Sequence, residues 1–260
     1  MNMEEKVLLK QVKENPMLLE KIENPSDDII MAAVKKNGNV IKFIKNQSFE
    51  MRKIAIESNP LSVQYMDDLE EELQVLAVKL LWNSLKYIKN PSYKVLEEAV
   101  KVKGWAIQYI EAPDEKLCLL AVNNDYDAIK YIKNPSKETQ LMAIEKSWNA
   151  IKYISNPSLE AKRKAIIENE EAISFCNYDI EELKIFISDN IKVVKYVYEL
   201  IDPELVVEVL MEKLEKDNMT EEYMKDFIEL EILEMDKIRF IYEYGSKKTK
   251  IMLVDYKLSK

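Results

Sequence analysis

The chain has no histidine at all, and only three glycines and two cysteines in 260 residues. Without an imidazole there is no His-based general acid or base, no Ser-His-Asp or Cys-His pair and no mixed His/Cys zinc site. Three glycines are too few for the loops that cradle phosphates, and neither GxxxxGK[ST] nor GxGxxG occurs. The two cysteines, Cys118 and Cys176, form no CxxC pair, so a reducing, cytoplasmic compartment is expected. No stretch reaches 18 apolar residues, and the opening MNMEEKVLLKQVKENP places acids and lysines where a secretory signal needs an apolar run. A surplus of cations is missing too: the net charge of −9 disfavours nonspecific attraction to nucleic acid or an anionic membrane.

What is present is a repeat. Rows starting at Asn2, Asn24, Asn46, Asp68, Asn90, Ala112, Asn134 and Asn156 keep a 22-residue period, and a ninth row begins one residue early at Asn177. Positions ten and eleven pair a small residue with a β-branched one, as in Ala33-Val34, Ala77-Val78 and Ala143-Ile144. The small side chain lets two backbones come close. Position eighteen is always aliphatic, from Leu19 to Val194, and position twenty-one nearly so; their three-residue separation sets them on one helical face. Cys118 and Cys176 fall at positions seven and twenty-one, where other copies carry Leu or Ile, and read as core thiols.

Each copy predicts two short helices, at about positions two to thirteen and sixteen to twenty-one, with a tight bend at fourteen and fifteen. The opening triplet Asn-Pro-Ser, at Asn24, Asn90, Asn134 and Asn156, reads as an Asn cap followed by Pro at the first helical position. Asn15-Pro16, Asn37-Gly38 and Asn59-Pro60 mark the bend. A lone copy buries about six aliphatic side chains at ~2 kcal/mol each, against about 1–2 kcal/mol of backbone entropy per ordered residue, and so requires its neighbours. The expected fold is all-α: an α-solenoid of about nine 22-residue two-helix repeats over residues 1–198, closed by a helical C-terminal cap over 199–260.

In the cap, Asp202-Pro203 and Thr220-Glu221-Glu222 open helices, and Asp236 to Lys260 reads as helix–Gly–helix in preference to a hairpin, because Ile251, Val254 and Leu258 keep helical spacing. The cap is acidic and then basic: fifteen acids stand against five bases from Glu199 to Glu243, and five Lys against one Asp from Tyr244 onward. This asymmetry is read either as solvated helix faces with a basic end or as a docking surface.

Candidate functional residues are those that break the core grammar. All three tryptophans, Trp82, Trp105 and Trp148, fall at bend positions fifteen or sixteen, with Tyr126 at fifteen in the copy between the last two. Aromatics on the loops of a rigid scaffold suit a protein interface; alternatively, the rings fold back and cover the inter-helix groove. A second stripe, KYIK, places a ring at position twenty (Phe43, Tyr65, Tyr87, Tyr109, Tyr131, Tyr153, Phe175, Tyr196) beside lysines such as Lys42, Lys86, Lys130 and Lys152. Interleaved rings and cations suit single-stranded nucleic acid, although packing with Lys stems laid along the rings explains the recurrence. No pair of carboxylates stands out as catalytic, and no cofactor or metal is expected.

The runs DDIIMAAVKKNGNVIKFIK (Asp27 to Lys45) and EEELQVLAVKLLWNSLKYIK (Glu70 to Lys89) resemble the short helical repeats of the domain of unknown function numbered 4116. That resemblance covers roughly Asn24 to Cys176. It implies a helical-repeat fold and transfers no catalytic residue, and the viral members of the family suggest an inhibitor of a host nucleic-acid-handling complex. Taken with the residues, the expectation is a non-enzymatic scaffold gripping a protein through Trp82, Trp105, Tyr126 and Trp148. A reader of single-stranded nucleic acid is the alternative.

Overall fold

The computed structural model describes residues 3–259, and every regular element among them is helical. The chain is an all-α repeat solenoid that divides into two compact units, Met1–Asn134 and Pro135–Lys260. Asn2, which opens the first copy, and Lys260 lie outside the described residues. The first unit carries the α-helices α1 (Met3–Glu14), α2 (Asp27–Lys36), α3 (Phe49–Ser58), α4 (Glu71–Leu80), α5 (Tyr93–Val102) and α6 (Glu115–Asn124). The second carries α7 (Lys137–Lys146), α8 (Leu159–Glu168) and α9 (Ile180–Asp189), followed by the cap.

From the second copy onward each α-helix occupies positions four to thirteen, two residues later than the Asn-Pro signal suggested. The N-cap is the residue at position three: Ser48 Oγ accepts from the Met51 amide at 3.3 Å, Ser136 from Thr139 at 3.0 Å and Asp114 from Leu117 at 2.9 Å. The residue at position one turns the chain instead. Asn24, Asp68 and Asn90 sit at φ 48°, 46° and 50°, a left-handed conformation that Asn and Asp tolerate better than other side chains. The Asn-cap, Pro-first signal operates at the bend: Asn15 and Asn59 accept from the amides of Met17 and Leu61, with Pro16 and Pro60 opening the second helix.

That second helix is 3-10, not α, and begins at position fifteen: Pro16–Lys21, Gly38–Phe43 and so on to Glu170–Phe175. Six residues are too few to stabilise an α-helix. The amide of position seventeen bonds to the carbonyl of fourteen, and that of twenty-one to eighteen, as in Val40 to Asn37 at 3.1 Å and Ile44 to Ile41 at 3.0 Å. With three residues per turn, positions eighteen and twenty-one lie directly above one another and face the core together.

The core is built from positions ten, eleven and eighteen. Ala33, Ala55, Ala77, Ala99, Ala121, Ala143 and Ala165 are fully buried, as are the β-branched residues that follow them. The structure adds a small position absent from the sequence reading: seventeen, occupied by Val40, Ser62, Ser84, Ala106, Ala128, Ala150, Ala172 and Val193, all fully buried. Two glycines mark where backbones meet most closely. A Cβ on Gly104 would lie 2.3 Å from the Ala121 carbonyl oxygen, and one on Gly38 2.2 Å from that of Ala55.

Position seven reaches from one copy to the opening turn of the next. Arg52 bonds Glu70 at 3.3 Å; Gln140 accepts from the Ser158 amide at 2.8 Å; Lys162, buried, donates to the Asn177 carbonyl at 2.6 Å and to Glu182 at 2.8 Å. Cys118 occupies the same position and is buried, which pushes its thiol up to about 11. Burial likewise raises Cys176 to about 11.

The regular stack ends at α9, where Phe186 replaces the small residue of position ten and is fully buried with Tyr178 edge-on at 6.2 Å. The ninth copy closes with α10 (Val194–Val197), and the cap packs on α9 through α11 (Pro203–Glu215) and continues with α12 (Glu221–Glu229), α13 (Lys237–Tyr244) and α14 (Lys247–Leu258). Asp202 and Thr220 cap α11 and α12 as expected, and Gly245 separates α13 from α14, so the helix–Gly–helix reading holds and the hairpin is excluded. On α14, Thr249, Met252 and Leu253 are buried, whereas Ile251, Val254 and Leu258, whose spacing marked the helix, face solvent.

Candidate interaction surface

The side chains of the bend vary in size from copy to copy while its backbone stays fixed. The residue at position fourteen is extended, with φ between −131° at Asn15 and −165° at Ser147, because it must leave the α-helix and cap the 3-10 helix at once. Its own amide still bonds back to the carbonyl of position ten, so the turn is clamped on both sides. Side chains at fifteen and sixteen therefore project from a rigid base.

All four predicted aromatics lie on that base, and all four are half-buried. In the first unit Trp82 stacks on Tyr109 of the following copy at 6.0 Å and 24°. Trp105 is held harder. Its indole N–H donates to Asp127 at 2.7 Å, the Lys130 ammonium lies 4.2 Å from its ring centre and that of Lys103 4.9 Å, and Tyr131 meets it edge-on at 6.4 Å. Burial works to raise the Asp127 carboxyl, but the hydrogen bonds from Trp105 and Lys130 outweigh it and hold the group below the ordinary 3.8. Tyr126 shares the same first-unit edge. In the second unit Trp148 lies under the Lys152 ammonium at 4.6 Å. The rings thus cover part of the groove between copies and expose the remainder.

The KYIK stripe is also built into the packing. Lys42 lies 4.9 Å from the centre of Phe43 and 5.8 Å from Tyr65 in the next copy, and Lys152 bridges Trp148 and Phe175. Three of its lysines are matched by acids: Lys89 pairs with Asp67 at 2.8 Å, Lys130 with Asp127 at 3.0 Å and Lys152 with Glu171 at 3.7 Å. Tyr87, Tyr153, Phe175 and Tyr196 remain exposed on this stripe.

A polar cleft of about 390 Å³ lies in the second unit among Arg163, Lys184, Asp189, Glu212 and Lys213. Its cations are already engaged: Arg163 grips Asp189 at 2.7 and 2.9 Å, Lys184 bonds Glu208 at 2.8 Å, and Lys213 donates to the Ser188 carbonyl at 2.8 Å in the last turn of α9. Burial lowers the Lys213 ammonium pKa, and its hydrogen bond to Ser188 caps the end of α9. Among the described residues no group of three or more His, Cys, Asp or Glu is placed to hold a metal, and no helix is long and apolar enough to cross a membrane.

Fold and surface together define a helical-repeat protein of the all-α solenoid class. Compared with family models, with curated proteins and with solved structures, the chain matches none.

Proposed function

We propose that the chain is a non-enzymatic scaffold that binds a protein partner along the bend edge, with Trp82, Trp105, Tyr126 and Trp148 in contact. The observation that carries this reading is the immobilisation of the aromatics: Trp105 has its indole N–H and its ring held by Asp127, Lys130 and Lys103. A large ring whose rotamer is already fixed loses little entropy on binding, which favours its use as an anchor. The same contacts mean that Trp105→Ala costs stability as well as contact area, so the useful variants are Tyr126→Ala and Trp148→Ala. Partners captured from cells by the full chain should be lost with these two variants at unchanged melting temperature. Undiminished capture would place the interface elsewhere.

Exposed Tyr87, Tyr153 and Phe175 favour a second reading, stacking of single-stranded nucleic acid on the KYIK stripe. The acid partners of Lys89, Lys130 and Lys152 weaken it by cancelling the field such a strand would follow. Filter binding of a single-stranded oligonucleotide at low and high salt separates the two, since strand binding demands a steep salt dependence.

A further inference from the structure

The last helix, α14, is apolar on two opposite sides, and the protein covers only one. Thr249, Met252 and Leu253 pack inward, while Ile251, Val254 and Leu258 are 52%, 55% and 81% exposed. Those three residues follow the three-then-four spacing of a single helical stripe. An apolar stripe on each side is the pattern of a helix sandwiched between two neighbours, not of one at a surface. Lys250 and Lys257 run along one flank of the outer stripe, and Lys247 stands one turn before Ile251. Lys247, Lys250, Ile251 and Val254 together line a shallow depression of about 500 Å³. Tyr242 on α13, 71% exposed, adjoins it, with the Lys250 ammonium 5.5 Å from its ring centre.

We infer that this face of α14 is a docking site for an acidic amphipathic helix of another protein, separate from the bend edge. The apolar stripe fits residues spaced i, i+3 and i+7 on the incoming helix, and the lysine flank fits glutamates or aspartates beside them. Two other occupants fit less well. A bilayer is a plane and would bring anionic lipid against exposed Asp255 on the opposite flank of the stripe as well, whereas a helix can confine its acids to the lysine flank. A second copy paired antiparallel through the same face would set Lys250 and Lys257 against their own counterparts.

The test is selection of helical peptides from a displayed library against the full chain. Enriched peptides should carry an apolar i, i+3, i+7 stripe flanked by Asp or Glu. Their binding should weaken at least about tenfold with Ile251→Gln/Val254→Gln and should fall with Lys250→Glu/Lys257→Glu, which in turn should gain affinity for lysine-flanked versions of the same peptides. Because Ile251, Val254 and Lys257 face solvent and Lys250 is half-buried beside Tyr242, helical content should not change and melting temperature should fall only slightly, and only with the lysine pair. No enrichment, enrichment without acids, or peptides indifferent to these substitutions would overturn the inference. So would co-sedimentation with phosphatidylserine vesicles, or self-association of the native chain that Ile251→Gln/Val254→Gln abolishes.

Discussion

Ser62 and Ser84 bury their hydroxyls completely at position seventeen, and neither oxygen has a hydrogen-bond partner. The same position in the next four copies holds Ala106, Ala128, Ala150 and Ala172, equally buried, so the protein itself shows that the site accepts a methyl group. A buried hydroxyl without a partner costs about 1–3 kcal/mol. Removing the oxygen forfeits only a few tenths of a kcal/mol of dispersion contact, at about 0.1–0.2 per atom pair. Ser62→Ala and Ser84→Ala should each stabilise the first unit by about 1 kcal/mol, and together by about 2 if the two sites act independently. In a unit of this size each kcal/mol raises the melting temperature by about 3–5 °C. Guanidinium unfolding followed by far-UV circular dichroism should show a higher midpoint at unchanged slope. The reverse changes, Ala106→Ser and Ala128→Ser, should lower the midpoint by a similar amount. A loss of stability in Ser62→Ala/Ser84→Ala would refute the reasoning, because it would mean that the hydroxyls are bonded in solution.

Other consequences can be checked as directly. Gly104→Ala forces a Cβ against the Ala121 carbonyl and should cost about 1–3 kcal/mol by overpacking, measured by the same denaturant titration. Cys118 and Cys176, both raised to about 11 from 9.0, should react with a disulfide reagent at pH 8 far more slowly in the folded chain than in denaturant; equal rates would contradict their burial. Since those thiols are raised, the stability linked to them is intact below pH 9 and should decline as pH climbs from 9 towards 11. Asp127 is depressed, so its contribution holds above the ordinary carboxylate value and disappears as pH falls below it. Tryptophan fluorescence should report that acid step in the native chain and lose it in Asp127→Asn, which also releases the Trp105 indole.

The period and the inward-facing positions ten, eleven and eighteen were legible because they repeat: one side chain recurring at fixed phase across eight or nine copies leaves little room for another explanation. The type of the second helix was also written in the residues, though less openly. Its recurrent aliphatic positions, eighteen and twenty-one, are separated by three, which is the 3-10 rhythm. The helix start was misplaced because Asn-Pro-Ser contains two capping residues: Asn24 and Asn90 turn the chain at positive φ, and in the copies opening at Asn134 and Asn156 it is Ser136 and Ser158 that cap the helix. Position seventeen escaped notice because valine, serine and alanine do not look alike as letters, although all three are small. At α14 periodicity alone identified a helix but not its inner side, since both sides are apolar and only packing against the rest of the cap distinguishes them. Whether the bend aromatics pointed out or folded back depended on partners a full copy away, such as Tyr109 under Trp82 and Asp127 under Trp105, and a single row of the repeat does not contain them.

The bonds that leave position seven make the modules non-interchangeable. Arg52 expects a carboxylate at the start of its successor, Gln140 expects an amide hydrogen, and Lys162 expects both a carbonyl and a glutamate. Exchanging two modules would strand an ammonium or a guanidinium without its counterpart even where the aliphatic positions match. Serial order is therefore stored in the polar seams, and any attempt to lengthen, shorten or shuffle the array would have to carry each module's successor along with it.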